Sequence, residues 1–256
     1  MNPKAAAWDA VGGRFWREGR ASARPSAREI GAFLDGIVPG RRCAVVGAST
    51  KGLVEEALRR RLRTTVIDFS PVMLADLRAE LPVAGYDCVC ADATAEPPPE
   101  LRDAVDAALS DRLINRFTHD DLRLFLRATL LMLAPGGELR TTVKLGFYPM
   151  DRLLIEEGKA RGTLDRFWDE ATRTIDYAVA RDELEARLLP HGTIPRPVLL
   201  AWYHGRGRET RFSDEAIAAA VLEARADRRR FVDLRRWPCP DARDTQLYLA
   251  RCADAG

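Results

Sequence analysis

A run of small residues follows the first strongly apolar segment of the chain and leads directly into a stretch with helical spacing. The run is GASTKG (47–52), and Asp68 follows about twenty residues later, where a second apolar segment ends. Small residues at such a turn let a ligand approach the backbone, and the first N–H groups of the next helix are free to bind it. A carboxylate at the tip of the second strand accepts hydrogen bonds from both ribose hydroxyls of a nucleoside. The pattern therefore predicts a site for a nucleoside-containing ligand.

The turn allows more than one interpretation. A phosphate-binding P-loop has Lys and then Ser or Thr after its last glycine, whereas Lys51 precedes Gly52 here, so the sequence excludes a P-loop. A dinucleotide loop has glycine at its third position, where Ser49 would crowd a pyrophosphate. A nucleoside ligand without a phosphate ester does not require glycine at this third position. The alternative without a ligand is a tight strand-to-helix turn, with Asp68 as an acid at the start of the next loop.

The elements around the turn alternate between short apolar runs, typical of buried parallel strands, and stretches with helical spacing. The predicted strands are 43–47, 64–68, 87–92, 105–110 and 138–145. Ser26 and Glu29 form a capping-box pattern that predicts a helix from Ala27 to Ile37, and Ser70-Pro71 opens another helix that runs to Leu81. This alternation predicts an α/β fold with a doubly wound, mostly parallel seven-stranded sheet.

The pattern is less regular after the fifth strand. Residues 151–190 are predicted to be a helical insertion, and 213–229 a further helix. The segments 198–204 and 245–252 are predicted to be strands, which would complete the sheet as a C-terminal antiparallel hairpin. We expect a single domain over residues 1–256.

Three parts of this domain are expected to have different tasks. Residues 1–38 form an N-terminal lid or helix, 41–145 form the core that binds the cofactor, and 146–256 shape the substrate site. The aromatic residues Trp8 and Trp16 are expected either to cover the active site or to fasten the N-terminal segment to the sheet.

Composition and charge limit the classes of partner. Hydrophobic residues make up 46% and charged residues 30%, which is a globular composition. The net charge of +2 provides no electrostatic footprint for nucleic acid or an anionic membrane. The five cysteines form no disulfide-like framework, and Cys88 and Cys90 lack the second pair of a zinc site, so no metal is expected. The start lacks the pattern of a signal peptide and no apolar run is long enough to span a bilayer, so we expect a cytoplasmic protein.

Several segments resemble class I S-adenosylmethionine-dependent methyltransferases, over residues 8–145. They are VVGASTKGLVEEAL, TTVIDFSPVML, CADAT, LSDRLINRF and LLMLAPGGELR, of which IDFSPVML and LAPGGEL are the most specific. The predicted C-terminal hairpin also separates these enzymes from dinucleotide dehydrogenases. The resemblance implies S-adenosylmethionine as the cofactor and methyl transfer as the reaction.

The resemblance also implies which residues contact the cofactor. They lie at the ends of the first four predicted strands, and they are Gly47, Ala48, Ser49, Asp68, Phe69, Asp92, Ala93 and Ser110. Asp68 would bind the ribose, Phe69 would lie against the adenine, and Asp92 would accept a hydrogen bond from the adenine amino group. The sequence departs from the family at Val45, usually an acid, and at Ser49 and Lys51, usually glycines. These departures leave open a non-catalytic or repurposed protein that binds S-adenosylmethionine or another small ligand.

The acceptor is expected to be an oxygen or nitrogen atom of a small molecule. The motif of nucleic-acid amino methylation would follow the fourth strand, where SDRL (110–113) stands instead. Candidate general bases are Asp111, His119 and His204, and candidate substrate-binding residues are Trp16, Arg112, Lys144 and Tyr148. For His119 the alternative is a role in helix capping, and for Arg112 it is a solvated salt bridge in a loop.

Overall fold

The computed structural model describes residues 3–11, 25–48, 50–189 and 194–254. Within them, the helices are α1 (Pro3–Val11), α2 (Ala27–Leu34), α3 (Lys51–Arg59), α4 (Pro71–Glu80), α5 (His119–Met132), α6 (Pro149–Arg161), α7 (Arg181–Arg187), α8 (Arg196–Arg206) and α9 (Asp214–Glu223). The strands are β1 (Arg42–Val46), β2 (Arg63–Asp68), β3 (Tyr86–Cys90), β4 (Val105–Asp111), β5 (Leu133–Lys144), β6 (Trp168–Asp169), β7 (Thr174–Asp176), β8 (Arg208–Thr210), β9 (Arg225–Ala226), β10 (Arg229–Pro238) and β11 (Thr245–Asp254). Short 3₁₀ helices lie at Pro99–Leu101, Ile114–Arg116 and Leu164–Arg166.

The main sheet of the described residues has eight strands in the order β3-β2-β1-β4-β5-β11-β10-β9. Strands β1 to β5 pair in parallel, and β11 runs antiparallel between β5 and β10. The predicted doubly wound, mostly parallel sheet with a C-terminal antiparallel hairpin is therefore confirmed. The predicted number of seven strands is one too few, because the two-residue strand β9 pairs with the start of β10. Strands β6, β7 and β8 form a separate three-stranded sheet.

Helices cover both faces of the main sheet. Phe33 of α2, Leu53 of α3 and Leu77 of α4 pack on one face. Phe125 of α5 and Ile217 of α9 pack on the other. Successive side chains of a strand point to opposite faces, so the central strands are buried on both sides and carry nearly continuous apolar runs. This packing leaves the carboxyl ends of the parallel strands as the edge at which ligands bind in such sheets.

The helix starts follow the sequence signals, whereas the helix ends differ. Ser26 Oγ accepts from Glu29 N (3.1 Å) and Glu29 Oε2 accepts from Ser26 N (2.7 Å), so the predicted capping box is present. Helix α2 ends at Leu34, before the predicted end at Ile37, because the chain turns at Gly36 with a φ of 71°.

The segment 198–204, predicted to be a strand, lies in helix α8. Leu199, Trp202 and Arg206 are buried at helical spacing, and a short apolar run alone cannot distinguish a strand from a helix. The hairpin partner of β11 is instead β10, whose sequence RRFVDLRRWP is rich in arginine. The strand was not predicted because its sequence is largely polar and forms no apolar run.

The insertion after β5 is only partly helical. Helix α6 ends at Arg161, where Gly162 takes a φ of 67°, and the rest of 151–190 contains β6, β7 and α7. The predicted helix over 213–229 ends earlier, at Glu223. Among the described residues, no helix is both long enough and apolar enough to cross a membrane.

Candidate functional site

A cavity of about 460 Å³ lies at the carboxyl ends of β1, β2 and β3. Its volume falls within the range of small-molecule sites, roughly 300–1,000 Å³. The turn after β1 and the loops after β2 and β3 supply five of the predicted cofactor residues to its lining, namely Gly47, Asp68, Phe69, Asp92 and Ala93. The structure therefore brings these five residues together.

Asp68 ends β2 and places its carboxylate in the cavity wall. Its Oδ2 accepts a hydrogen bond from Ala48 N (2.8 Å), and its Oδ1 accepts one from Ser70 N (2.8 Å). Burial raises the pKa of Asp68 to about 6, which outweighs the lowering by these two hydrogen bonds. A carboxylate has about four acceptor positions, so each oxygen keeps capacity for one further donor. Two neighbouring ribose hydroxyls match this capacity.

The turn after β1 presents backbone to the cavity. Gly47 has a φ of 103°, in the left-handed region that favours glycine, and its N–H donates to Ile67 O (2.8 Å). Ala48 is fully buried and contributes its N–H to Asp68. Ser49 and the predicted substrate residue Trp16 lie outside the described residues.

The loop after β3 forms a second polar corner. Asp92 Oδ1 accepts hydrogen bonds from Thr94 N (2.9 Å) and Thr94 Oγ1 (2.7 Å), which orient the carboxylate. Phe69, directly after β2, supplies an aromatic ring to the same cavity. An aromatic face beside an oriented carboxylate suits a purine, because the ring stacks and the exocyclic amino group donates.

Helix α1, near the N-terminus, also contributes residues to the lining of the cavity. Lys4 and Trp8 line it. Lys4 Nζ donates to Arg116 O (2.6 Å) and lies 3.5 Å from Asp121 Oδ2. The Trp8 ring meets the Trp202 ring of α8 edge-on, with centroids 5.6 Å apart. Trp8 therefore lines the cavity and also packs against α8.

The end of β4 is occupied by a buried ion cluster. Asp111 accepts two hydrogen bonds from Arg112 Nη1 (2.9 and 3.0 Å), and Arg112 Nη2 donates to Glu29 Oε1 (2.6 Å). Burial raises the pKa of Asp111, and the Arg112 guanidinium acts against that increase. Ser110 is fully buried and its hydroxyl bonds to Thr141 Oγ1 (2.8 Å). None of these residues is among the described residues that line the cavity, and the Arg112 salt bridge is buried rather than solvated.

The two candidate histidines lie elsewhere. His119 begins α5 and is exposed, with Nε2 3.3 Å from Thr172 O and its ring 5.0 Å from that of Phe212. Thr118 is the residue that caps α5. His204 lies in α8, burial lowers its pKa, and its Nε2 is buried without a hydrogen-bond partner among the described residues. Neither histidine is among the described residues that line the cavity.

Lys144 and Tyr148 lie side by side after β5. Lys144 Nζ is 3.8 Å from Asp244 Oδ2 and 5.7 Å from the centre of the Tyr148 ring. Burial lowers the pKa of Lys144 and raises that of Tyr148. The guanidinium of Arg116 lies 5.4 Å from the centre of the Tyr148 ring, so Tyr148 is adjacent to a residue that lines the cavity.

Sequence analysis missed the lining residues that come from outside the first three loops. Leu113, Arg116 and Phe117 follow β4, and their position was the available signal, because β4 pairs with β1 at the same edge of the sheet. Lys4 belongs to α1, and nothing in its local sequence indicates where that helix packs.

The cavity lies at the edge of a doubly wound sheet in which β11 runs antiparallel between β5 and β10. The sequence model of a family described as "Methyltransferase domain" matches residues 45–141. Over these residues, which are less than half of the chain, the sequence is similar to methyltransferase domains.

Solved structures share this fold. A protein from Rhodobacter sphaeroides is 41% identical over 99% of both chains, with a TM-score of 0.90. The 1,6-didemethyltoxoflavin-N1-methyltransferase of Burkholderia thailandensis, solved with 1,6-didemethyltoxoflavin and S-adenosylhomocysteine, is 16% identical over 98% of this chain and 89% of that chain, with a TM-score of 0.55. An S-adenosylmethionine-dependent methyltransferase from Mesorhizobium loti is 16% identical over 84% of this chain and 92% of that chain, with a TM-score of 0.51. No curated protein sequence matches the chain.

The Rhodobacter sphaeroides protein bears the provisional name of a zinc-dependent alcohol dehydrogenase. A catalytic zinc needs three protein ligands around an open position. Among the described residues of the present chain, no group of three or more His, Cys, Asp or Glu side chains is placed to hold a metal ion. The donor set of the described residues therefore does not fit the zinc that this name implies.

The pKa of Asp68 predicts how cofactor binding depends on pH. In the predicted role of Asp68, two ribose hydroxyls would donate to the ionised carboxylate, so binding would favour the ionised form and lower the pKa from its value of about 6. The affinity for S-adenosylhomocysteine should be constant above about pH 7 and fall as the pH decreases through 6, approaching about tenfold per unit. Calorimetric titration between pH 5 and 8 measures this dependence. In Asp68→Asn the affinity should be lower and nearly independent of pH, and an unchanged slope in that variant would assign the titration to another group.

Proposed function

We propose that the chain transfers the methyl group of S-adenosylmethionine to an oxygen or nitrogen atom of a small molecule. The placement of α1 carries the proposal, because Lys4 and Trp8 partly close a cavity of about 460 Å³ that also contains Asp68. A small, partly covered cavity suits a small acceptor. A nucleic acid would need an extended cationic surface, and the net charge of +2 does not favour one.

In this proposal the nucleoside part of the cofactor binds at the ends of β2 and β3. Asp68 holds the ribose, Phe69 lies against the adenine, and Asp92 with the Ala93 backbone holds the adenine amino group. The contacts of Asp68 with Ala48 N and of Asp92 with Thr94 fix both carboxylates before the ligand arrives. The backbone of Gly47 and Ala48 lies under the methionine part, and Ser110 supports this end through its bond with Thr141.

The chain contributes mainly by positioning. When bound, the cofactor supplies a methyl group that its sulfonium has already activated for displacement. The protein has to hold the acceptor atom about 3 Å from that carbon and in line with the bond that breaks. Trp8, Leu113 and Phe117 provide apolar walls that exclude water from this space. Arg116 lies over the Tyr148 ring, and so does Lys144. We propose that Lys144 and Tyr148 contact the acceptor.

Proton removal is a smaller part of this proposal. Asp111 is held by Arg112 and Thr142 in the buried cluster, and His119 and His204 lie outside the lining of the described cavity. An acceptor that reacts as an anion or a free amine needs no general base. We infer that the acceptor reacts in such a form, and that Asp111 and Arg112 position the end of β4.

We propose that residues 1–256 form one domain whose three parts have different tasks. Residues 1–38 cover the cavity, 41–145 bind the cofactor, and 146–256 shape the acceptor site. Contacts between the first and third parts support this division, since Trp8 of α1 packs on Trp202 of α8.

A second candidate function is ligand binding without transfer, in a repurposed methyltransferase fold. The departures at Val45, Ser49 and Lys51 motivate it. However, Val45 is fully buried in the core, and Lys51 lies 3.6 Å from Glu80 and 3.7 Å from Glu55. Neither side chain is among the described residues that line the cavity, so neither narrows it. This observation favours the catalytic function.

A methyl-transfer screen tests the proposed function. The chain is incubated with S-adenosylmethionine labelled in its methyl group and, in separate reactions, with extracted cell metabolites and with total RNA and DNA. Label in a small-molecule fraction is the expected result, with Asp68→Ala as the inactive control. Label found only in nucleic acid would contradict the small-molecule acceptor, and binding of the cofactor without transfer to any fraction would support the repurposed fold.

A further inference from the structure

One basic residue in the lining of the cavity, Arg116, pairs with a carboxylate that does not itself line the cavity. Of the two basic residues in the described lining, Lys4 lies 3.5 Å from Asp121, which also lines the cavity. Arg116 instead approaches Glu209, with Nη1 3.3 Å from Oε2. Glu209 is fully buried and is not part of the described lining. Arg116 therefore presents its charge to the cavity from the edge of a buried cluster.

Glu209 is already occupied by two closer arginines. Arg206 donates to both of its oxygens (2.8 and 2.5 Å), and Arg211 Nη2 donates to Oε2 (2.9 Å). Asp151 binds Arg211 Nε at 2.5 Å. Among the described residues, this cluster contains three guanidinium groups and two carboxylates, so it has an excess positive charge. The side chain of Arg116 is 19% exposed, against 5% for Arg206 and 0% for Arg211, so the excess is accessible at Arg116.

Aromatic rings surround this arginine. Its guanidinium lies 5.4 Å from the ring centre of Tyr148 and 5.9 Å from that of Trp202. Trp8 and Phe117 line the cavity beside it. The Tyr148 hydroxyl is buried and has no hydrogen-bond partner among the described residues, and such a group normally has one. The surroundings therefore combine apolar ring faces with one accessible guanidinium, whereas the Tyr148 hydroxyl lies outside the described lining.

We propose that the methyl acceptor is a small aromatic acid whose carboxylate binds the guanidinium of Arg116. A carboxylate balances the excess charge of the cluster and accepts charge-assisted hydrogen bonds from a guanidinium. The ring of the acid packs between Trp8 and Phe117. The inference rests on the proposed function, because it assigns the acceptor of that same site.

The methionine carboxylate of the cofactor has the same chemistry as the proposed acceptor group. The experiment therefore uses protein saturated with S-adenosylhomocysteine, so that the cofactor site is filled before any acid is added. The probes are 2-aminobenzoate, 4-aminobenzoate and 4-aminophenylacetate, whose amino groups need no general base, each compared with its neutral amide by calorimetric titration. We expect at least one acid to bind about 10- to 100-fold more tightly than its amide.

Variants locate the group that binds the carboxylate. Arg116→Gln should remove the preference for acid over amide, and Arg116→Lys should keep part of it. Arg123→Gln is the matched control, because Arg123 is an exposed arginine of α5 that pairs with Asp120. It removes one positive charge without touching the cavity and should leave the preference intact. The affinity for S-adenosylhomocysteine should change less than about threefold in all three variants.

The outcomes separate this inference from the proposed function. Equal binding of acids and amides by the unmodified chain would overturn the inference, and so would the absence of any binding up to about 10 mM. In either case, continued binding of S-adenosylhomocysteine leaves the proposed function standing. If Arg116→Gln weakens S-adenosylhomocysteine as much as the acids, Arg116 holds the cofactor carboxylate and the inference is wrong. If S-adenosylhomocysteine does not bind the unmodified chain, both fail. The comparison of acid with amide does not depend on the folding of any variant.

Discussion

Replacing Glu209 by glutamine is expected to lower the free energy of unfolding by about 3–5 kcal/mol, the cost of breaking a buried ion pair from one side. Burial raises the pKa of Glu209, but the guanidinium groups of Arg206 and Arg116 more than offset this and hold it below its usual range, so Glu209 is ionised. Glutamine keeps the size and one acceptor oxygen. It leaves Arg206 without its carboxylate and Arg211 with Asp151 alone.

Urea-induced unfolding of the purified chain measures this effect. Glu56→Gln is the matched control, because Glu56 also accepts hydrogen bonds from two arginines, Arg59 and Arg60, but on the surface of α3. Its replacement should change stability little, since exposed ion pairs contribute little. Equal small effects of the two substitutions would mean that water enters the Glu209 cluster and compensates the arginines.

This cluster also connects parts of the chain that are far apart in sequence. Glu209 lies in β8, Asp151 in α6 and Arg206 at the end of α8, and Tyr177 donates a hydrogen bond to Asp151. Arg116 extends the cluster to the cavity wall. The insertion after β5 is therefore fixed relative to the cofactor site by buried charge as well as by apolar packing. Loosening the cluster should affect the acceptor site before it affects the ends of β2 and β3.

The parallel core was predictable because its strands and helix starts depend on residues that are close together in the sequence. Strands β1 and β4 are buried on both faces, so each is an apolar run that the sequence displays directly. The helix starts at Ser26 and Ser70 were visible because a capping side chain acts within three residues of itself. Asp68 and Asp92 were found because strand ends in a parallel sheet share one edge.

The remainder depends on contacts that sequence spacing does not encode. Arg206 and Arg211 are almost wholly buried, although arginine is rarely buried without a partner. Their shared partner Glu209 is close in sequence, but Asp151, the second partner of Arg211, comes from α6. The run 198–204 is as apolar as a strand would be. In the structure it forms part of helix α8, whose Trp202 packs against Trp8 of α1. Lys4 contributes to the cavity through that same docking. Lys4 and Arg116 were therefore not predictable as lining residues of the cavity, whereas Asp68 and Asp92 were.

Substitution of Asp68 by alanine is expected to weaken binding of S-adenosylhomocysteine by about 1.5–3 kcal/mol, the contribution of hydrogen bonds to a charged group. The carboxylate also accepts from Ala48 N and Ser70 N, so the variant loses two bonds that hold the turn after β1 next to β2. Asp68→Asn separates these effects, because the amide keeps the shape and one acceptor oxygen while it removes the charge. Its affinity should lie between those of the alanine variant and the unmodified chain.

The ribose itself provides the sharper comparison. S-adenosylhomocysteine and its 2′-deoxy analogue differ by one hydroxyl, and the unmodified chain should prefer the complete ribose by about tenfold or more. The preference should disappear in Asp68→Ala, since the acceptor of that hydroxyl is gone, and a double-mutant cycle isolates the interaction. Asp87→Ala is the control, because Asp87 is an exposed aspartate of the neighbouring strand β3. It should keep the full preference. A preference that survives in Asp68→Ala would show that another group accepts the ribose hydroxyl, and that Asp68 acts only by holding the backbone turn through Ala48 and Ser70.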